Sequence, residues 1–450
     1  MSLQADTDTI VATATPPGRG GICILRISGP RAFELAGRVA GSPPPPRQAA
    51  LRAMRDASGE ILDRGLVLAF PGPDSFNGED VVELHLHGSP VLAALLIRHL
   101  VSLGAREAGP GEFTRRAYTN GRLDLAQAEA VADLIASASA EAARAAMRSL
   151  EGEFSAGVGD LCEALVRLRV RLEAGMDFPE EGVDDYTDAE LHAHLTDAMA
   201  RLETLRNAAA RGRVLRDGLT LVIAGAPNAG KSSLLNRLAG YEAAIVTEVA
   251  GTTRDLVRED ILIDGMPVRV VDTAGLRVAT DRIEAEGIRR ARQAMAQADL
   301  LLLVQDAAVG PATLPAEELP AGIPVLRVLN KIDLVGVPAG MSSDGQGAAE
   351  LRLSALTGAG IDTLRAYLKE RAGYSGEAGG AFAARRRHLD ALELAARHLV
   401  AARARLADSA TVELAAEELR LAHRALGEIT GQFTTEDLLG KIFSEFCIGK

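Results

Sequence analysis

The loop Gly225-Ala-Pro-Asn-Ala-Gly-Lys-Ser232 follows an apolar run at 219–224 and precedes a helical pattern that begins at Ser233. A P-loop requires this strand–loop–helix context, because the loop N–H groups and the helix N-terminus must converge on one phosphate chain. Lys231 is expected to contact the β- and γ-phosphates, and the Ser232 hydroxyl is expected to bind Mg²⁺. A chance glycine-rich turn is disfavoured because both flanks are correct. The sequence therefore predicts a site for a nucleoside triphosphate.

A second motif indicates which nucleotide is bound. Asn330-Lys-Ile-Asp333 directly follows the apolar run 323–329, and Ser354-Ala-Leu356 follows another apolar strand. A carboxylate at Asp333 accepts two hydrogen bonds from the N1–H and the exocyclic amino group of guanine, whereas adenine offers neither donor pair. These motifs predict GTP as the substrate.

The switch segments of a GTPase are expected between these two motifs. Thr253 in Gly251-Thr-Thr-Arg-Asp255 is predicted to bind Mg²⁺ and the γ-phosphate. In Asp272-Thr-Ala-Gly275, we expect Asp272 to hold Mg²⁺ through water and the Gly275 amide to contact the γ-phosphate. The predicted GTP-binding residues are Asn228, Ala229, Gly230, Lys231, Ser232, Ser233, Thr247, Glu248, Val249, Ala250, Gly251, Thr252, Thr253, Asp272, Thr273, Ala274, Gly275, Asn330, Lys331, Asp333, Ser354, Ala355 and Leu356.

The residue after the second switch motif departs from the small-GTPase pattern. Such enzymes usually carry glutamine there to orient the attacking water, and this chain has Leu276, which neither donates nor accepts a hydrogen bond. Glu284 is the nearest following carboxylate that fits the task, and Glu286 competes with it. A solvated first turn of a helix explains both residues equally well, so the residues themselves leave the choice open.

Composition indicates a multidomain globular protein. A chain of 450 residues exceeds one ordinary core, and 47% hydrophobic with 24% charged residues argues against global disorder. The net charge of −12 argues against bulk attraction to nucleic acid, so RNA contact is expected in a local patch. Three scattered cysteines favour a reducing compartment. With no signal-peptide pattern and no apolar run of membrane-spanning length, we expect a cytoplasmic protein with no membrane contact.

The pattern along the chain predicts four segments: an N-terminal α+β domain at 1–120, helices at 121–215, an inserted GTPase domain at 216–376 and further helices at 377–450. The fold class is therefore multidomain α/β and α, with a discontinuous helical domain and a Ras-like, doubly wound P-loop sheet. In the strand 80–87, Glu83, His85 and His87 share one face. A metal triad is one explanation, and a strand with one wet face is the favoured one.

Over essentially its full length the chain resembles the tRNA-modification GTPase family MnmE, also called TrmE. The resemblance rests on Asp8-Thr-Ile-Val-Ala12 with Pro16-Pro-Gly-Arg-Gly-Gly21, on Gly109-Pro-Gly-Glu-Phe-Thr-Arg-Arg-Ala117, on Asn120-Gly-Arg-Leu-Asp-Leu-Ala-Gln-Ala-Glu-Ala130, on the GTPase motifs and on the terminal Phe446-Cys-Ile-Gly-Lys450. It implies an N-terminal folate-binding domain that dimerises, a split helical domain and an inserted GTPase domain. It also implies a homodimer in complex with the FAD-dependent protein MnmG (GidA), with FAD bound only by that partner. Together the two proteins place an aminomethyl or carboxymethylaminomethyl group on C5 of the wobble uridine of tRNA.

The resemblance also implies residue roles. A 5-formyl-tetrahydrofolate-type ligand is bound through Arg26, Glu83, Arg122 and Lys450, although the family often has lysine in place of Arg122. The family's terminal cysteine, here Cys447, lies near that ligand and is a possible reactive thiol. K⁺ and Mg²⁺ are required: the implied K⁺ ligands are Asn228, Thr247, Val249 and Thr252, and the implied catalytic residues are Glu284, Lys231 and Thr253.

Two other functions compete with this one. The first is a stand-alone ribosome-assembly or signalling GTPase, and the second is a folate-binding regulator whose GTPase activity only times dissociation. The folate-facing residues and the terminal Cys-Ile-Gly-Lys argue against the first.

For tRNA contact, Arg385-Arg-Arg387 is a candidate, although three exposed arginines at a helix start more often form a solvated face.

Overall fold

The computed structural model of the chain describes residues 8–177, 188–240, 258–272, 298–309, 323–343, 349–374, 380–406 and 412–449. The chain divides into two compact units, Met1–Ala132 with His423–Lys450, and Asp133–Ala422. The bounds of the four predicted segments stay a prediction. Within the described ranges, no helix is both long enough and apolar enough to cross a membrane.

In chain order, the elements before the P-loop are β1 (Ile10–Thr13), β2 (Gly20–Ser28), α1 (Ala32–Ala40), β3 (Ala50–Arg55), β4 (Ile61–Phe70), β5 (Val81–Gly88), α2 (Pro90–Ser102), β6 (Arg106–Glu107), α3 (Glu112–Thr119), α4 (Leu125–Ile135), α5 (Ala140–Leu150), α6 (Glu153–Asp177), α7 (Asp188–Asp217) and β7 (Leu219–Gly225). The elements after it are α8 (Lys231–Ala239), β8 (Arg258–Ile263), β9 (Met266–Asp272), β10 (Leu300–Asp306), β11 (Val325–Asn330), β12 (Gly340–Ser343), β13 (Ala349–Arg352), α9 (Ile361–Arg371), α10 (Arg386–Leu406), α11 (Val412–Thr430) and α12 (Glu436–Ser444).

The N-terminal sheet has the strand order β3-β4-β5-β2-β1-β6, in which only the β1–β6 pairing is parallel. Alternate side chains of its central strands point to opposite faces. One face is apolar and packs against α1 and α2 through residues such as Val11, Leu25 and Leu84. The other face carries Arg26 and Glu83, which lie opposite each other in the β2–β5 register. The predicted α+β fold is confirmed, and its open polar face forms a candidate site.

The C-terminal end of the chain belongs to the same unit as this sheet. Side chains of α12, including Leu439 and Phe443, pack against Leu125 of α4 in a buried apolar cluster. Beyond α12, the Gly111 N–H donates to the carbonyl of Cys447 at 3.2 Å. The terminal segment is therefore held against the start of α3.

The second sheet lies in the segment predicted to be the GTPase domain. Its strand order is β12-β13-β11-β10-β7-β9-β8, with the strands from β13 to β9 parallel and the two edge strands antiparallel. β7 is central, and the P-loop that follows it lies at the carboxyl edge, between β9 and β10, where ligands bind in such sheets. The predicted doubly wound sheet is confirmed.

The helices before and after the GTPase segment pack on each other within the second unit. The long helix α7 lies along α6 and α10. At Gly212 the backbone of α7 comes so close to Phe382 that a side chain at this position would collide with the Phe382 carbonyl. Ala142 and Ala145 of α5 join the apolar core of the GTPase sheet. The predicted discontinuous helical domain is thereby confirmed as a packed structure.

One buried carboxylate links the chain on both sides of the GTPase segment. Asp133 accepts from Arg216, at 2.9 Å, and from Arg385, at 3.0 Å. Arg216 is in the last turn of α7, just before β7, and Arg385 precedes α10. Because this contact leaves only 11% of the Arg385 side chain exposed, the sequence-based view of three exposed arginines is wrong for this residue. Arg386 remains 80% exposed.

Candidate functional site

The P-loop has the conformation that its glycines allow. Gly225, Asn228 and Gly230 have positive φ angles of 151°, 60° and 94°. A side chain at Gly225 would collide with the Val304 carbonyl, and one at Gly230 would collide with the amide of Asn330. Only glycine fits both positions, because a Cβ atom has no room and the left-handed region disfavours one. The loop is thus closely packed against the next strands.

Lys231 and the two serines stand at the start of α8. The Lys231 ammonium donates to the carbonyls of Gly225, at 2.9 Å, and Ala226, at 3.0 Å. These bonds hold the ammonium over the loop. Ser232 and Ser233 are exposed in the first helical turn, where backbone N–H groups are free to bind an anion.

Asn330 connects the P-loop with the predicted base-binding loop. Its buried side chain donates to the carbonyl of Ala229 at 2.9 Å and accepts from the Ala355 N–H at 2.9 Å. Both backbone groups would lose their partner if this amide were removed. The structure therefore brings two predicted motifs together through one residue.

Asp333 is oriented by Ser354, which belongs to the motif 354–356. The Ser354 hydroxyl donates to Oδ1 of Asp333 and is itself buried. A carboxylate has about four acceptor positions, so Asp333 retains the capacity to accept two donors from a base. Leu356, by contrast, is 76% exposed beside this loop.

Asp306 was not identified from the sequence. It ends β10 and forms an ion pair of 2.8 Å with Lys331, whose φ of 65° lies in the left-handed region. The hydrogen bond from Lys331 holds the pKa of Asp306 below its usual value. Its place just after the apolar run 300–304, at the carboxyl end of a strand, was the signal that could have revealed it.

Two of the predicted Mg²⁺ ligands lie in the described part of this sheet and the helix that follows it. Ser232 is the second residue of α8, and Asp272 ends the strand next to β7, paired with Ile223. Hydroxyl and carboxylate oxygens are ligands that fit Mg²⁺. In the described part of the chain, no three His, Cys, Asp or Glu side chains cluster as a metal site of their own.

Several predicted residues lie outside the described residues. They are Thr247, Glu248, Val249, Ala250, Gly251, Thr252, Thr253, Thr273, Ala274, Gly275, Leu276, Glu284, Glu286 and Lys450.

In the N-terminal unit, Arg26 and Glu83 form a close ion pair. Nε and Nη2 of Arg26 donate to the same Glu83 oxygen at 3.0 and 2.9 Å, and the other oxygen lies 3.3 Å from His85 Nε2. The guanidinium stands 5.6 Å from the ring centre of Phe113. His87 pairs instead with Asp63, at 2.7 Å. The polar groups of this face are thus paired with each other or with a neighbouring strand, which does not support the metal triad.

Arg122 lies beside the loop that precedes β5. It is exposed, and its Cγ lies 3.3 Å from where a side chain at Gly78 would begin. The loop is fixed by Asn77, which donates to Ser28 at 2.8 Å, and by Asn120, which donates to the Asn77 carbonyl at 2.8 Å. A larger residue at Gly78 would displace the Arg122 stem.

Cys447 lies in a different environment from these residues. It is exposed and lines a cavity of about 570 Å³ together with Cys23, Ile22 and Ile97, on the side of the sheet covered by α2. The described lining of this cavity contains none of Arg26, Glu83 and Arg122. The predicted proximity of Cys447 to the folate residues stays a prediction.

Comparisons with known proteins match both parts of the chain. The family described as the N-terminus of the GTP-binding protein TrmE matches residues 9–122, and the MnmE helical domain matches residues 125–447. Among solved structures, the G domain of the FeoB iron transporter of T. maritima is 24% identical over 34% of this chain and 98% of its own, with a TM-score of 0.25. A variant of Aquifex aeolicus Era bound to GDP and AlF4⁻ is 27% identical over 40% of this chain and 66% of its own, with a TM-score of 0.26.

Proposed function

Because the chain belongs to the MnmE/TrmE family and is a GTP hydrolase of the tRNA-modification type, we propose that it hydrolyses GTP to drive modification of the wobble uridine (U34). The product carries an aminomethyl or carboxymethylaminomethyl group on C5, built with a folate-derived one-carbon unit. The reaction takes place in the cytoplasm, in a complex with an FAD-dependent partner of the MnmG (GidA) type. The observation that supports GTP binding in this proposal is the Asn330 side chain, which connects the P-loop to the predicted base-binding loop.

The GTP site is completed by electrostatics. Lys231 exchanges its two loop carbonyls for phosphate oxygens, which are stronger acceptors for an ammonium. Mg²⁺, held by Ser232 and Thr253, offsets the charge of the phosphates when it is bound. Asp333 accepts the two N–H groups of guanine while the Ser354 hydroxyl holds its carboxylate through another acceptor position.

Hydrolysis in this proposal depends on K⁺ and on a second copy of the chain. Asn228, whose φ of 60° places it at the turn of the P-loop, is one K⁺ ligand. The cation supplies positive charge where an arginine finger acts in other GTPases. Contact between two GTPase domains activates hydrolysis, and Glu284 orients the water in place of a glutamine.

The polar face of the N-terminal sheet supports folate binding. A pterin ring presents amide N–H and carbonyl groups side by side, which match the acceptors of Glu83 and the donors of Arg26. Their partial burial strengthens such bonds relative to those on an open surface. Arg122 and Lys450 complete the proposed set of folate-binding residues.

An exposed apolar surface supports dimerisation through the N-terminal domain. Ile22, Val91 and Ile448 are 65%, 67% and 60% exposed, and two of them line the cavity that contains Cys447. Exposed apolar side chains that rim one cavity favour a protein–protein contact. We propose that a second copy of the chain binds this apolar surface.

Mass analysis of tRNA nucleosides tests the function. Deleting the gene should remove the C5 substituent from U34, and the wild-type gene should restore it. A gene encoding Glu83→Gln should fail to restore it, whereas Glu60→Gln, on an exposed loop, should succeed. Unchanged U34 in the deletion strain would exclude the proposal and favour a GTPase that acts elsewhere.

A further inference from the structure

Arg237 connects the phosphate-binding helix to the base-binding loop. It lies in α8, six residues after Lys231. Its Nε donates to the Ala355 carbonyl at 3.2 Å, and its Nη2 donates to the Leu356 carbonyl at 2.5 Å. A guanidinium is suited to this task because its donors are fixed in one plane and can bind two acceptors at once.

Arg237 and Asn330 bind different backbone groups of the same loop. The Ala355 N–H is bound to Asn330, and its carbonyl is bound to Arg237. The loop is closed further along by the Ser354 N–H, which donates to Ala359 at 2.9 Å. Asn330 thus ties the loop to the P-loop, and Arg237 ties it to the helix that follows the P-loop.

The space beside the loop explains why this contact matters. A cavity of about 490 Å³ is bounded by Ser233, Asn236, Arg237, Gly240, Ala355 and Leu356. No side chain of the described residues fills this space, so these residues give the loop little packing at this cavity. Polar contacts from Arg237 take the place of packing.

We propose that Arg237 is a positioning residue that holds the loop 354–356 at the correct distance from the guanine base. It therefore determines the affinity for the base and not the affinity for the phosphates. The inference rests on the proposed guanine site. Because Arg237 acts through backbone carbonyls, its loss leaves the P-loop contacts of Lys231 in place. The base-dependent part of binding is then the part that weakens.

The test compares ligands with and without a base on the full-length chain. Dissociation constants are measured for GDP and for inorganic tripolyphosphate, which competes for the phosphate site alone. In Arg237→Gln, GDP affinity should fall about tenfold, the loss expected for two charge-assisted bonds that are partly exposed. Tripolyphosphate affinity should change less than about twofold, and the KM for GTP should rise more than kcat falls.

Two further variants define the result. Arg237→Lys retains the charge but reaches one carbonyl, so it should lie between wild type and Arg237→Gln. Arg167→Gln removes an exposed arginine from α6 and should behave as wild type. Equal losses for GDP and tripolyphosphate, or no loss for GDP, overturn the role of Arg237. If the wild-type protein binds ADP as tightly as GDP, the proposed guanine site is wrong instead. This measurement requires no variant.

Discussion

Replacing Glu112 by glutamine should destabilise the N-terminal unit in a strongly pH-dependent way. Glu112 begins α3 and is almost fully buried. It accepts from Arg106 at 2.6 and 3.0 Å, from Arg116 at 3.0 Å and from the Gly109 N–H at 2.8 Å. Burial alone would raise the pKa of this carboxyl group, but the hydrogen bonds and charges outweigh it and lower the pKa from 4.5 to about 2.

The pKa difference gives the size of the effect. One pKa unit corresponds to 1.36 kcal/mol, so the fall from 4.5 to about 2 corresponds to about 3 kcal/mol of stability. A depressed pKa stabilises the fold above the pKa of the unfolded chain, and the stabilisation is lost as the pH falls through the folded value. Glu112→Gln should therefore cost about 3 kcal/mol at pH 7, about 1 kcal/mol at pH 3 and little at pH 2.

Hydrogen exchange followed by mass spectrometry measures this effect where it arises. The urea concentration at which amides of α3 lose protection is compared for wild type and variant at each pH. Glu34→Gln is the matched control, because Glu34 is also in a first helical turn beside an arginine but is about half exposed. It should change far less. An equal loss at pH 7 and pH 2, or no loss at pH 7, would refute the assignment of the low pKa to Glu112.

Four predictions concern the GTPase. Asn330→Ala should weaken GDP binding at least tenfold in calorimetry, because two buried backbone groups lose their partner, whereas the exposed Asn207→Ala should not. Asp333→Asn should shift substrate preference from GTP to XTP, since the amide donates to the xanthine carbonyl that replaces the amino group; unchanged preference would remove Asp333 from base selection. Glu284→Ala should slow single-turnover hydrolysis by about a hundredfold or more with little change in affinity, and a comparable loss for Glu286→Ala would contradict the assignment. Replacing K⁺ by Na⁺ should suppress turnover, and an equal rate in both salts would exclude the cation from hydrolysis.

The sequence predicted those features that depend on neighbours in the chain. The P-loop conformation follows from its glycines, and the doubly wound sheet follows from apolar runs that alternate with helical patterns. The family resemblance, based on scattered short motifs, is confirmed by the matches over 9–122 and 125–447.

Features that depend on tertiary contact were not predicted. The guanidinium of Arg385 looks like part of an exposed basic run, and only its approach to Asp133 explains its burial. Likewise, Arg237 reads as an ordinary surface arginine of an amphipathic helix, because the loop it binds is over a hundred residues away. Side chains at such separations have no spacing that sequence reasoning could recognise.

The shared carboxylate at Asp133 has a consequence for how such a protein could have arisen. The chain leaves the helices and returns to them at this one point. A whole GTPase domain can therefore be inserted here, and the entropic cost is that of closing one short gap. Removing residues between Gly218 and Tyr374 and joining the ends with a few glycines would leave that point intact. Because Ala142, Ala145 and Leu215 pack into the core of the GTPase sheet, the shortened chain would expose these side chains, and its helices should be less stable than in the full-length protein.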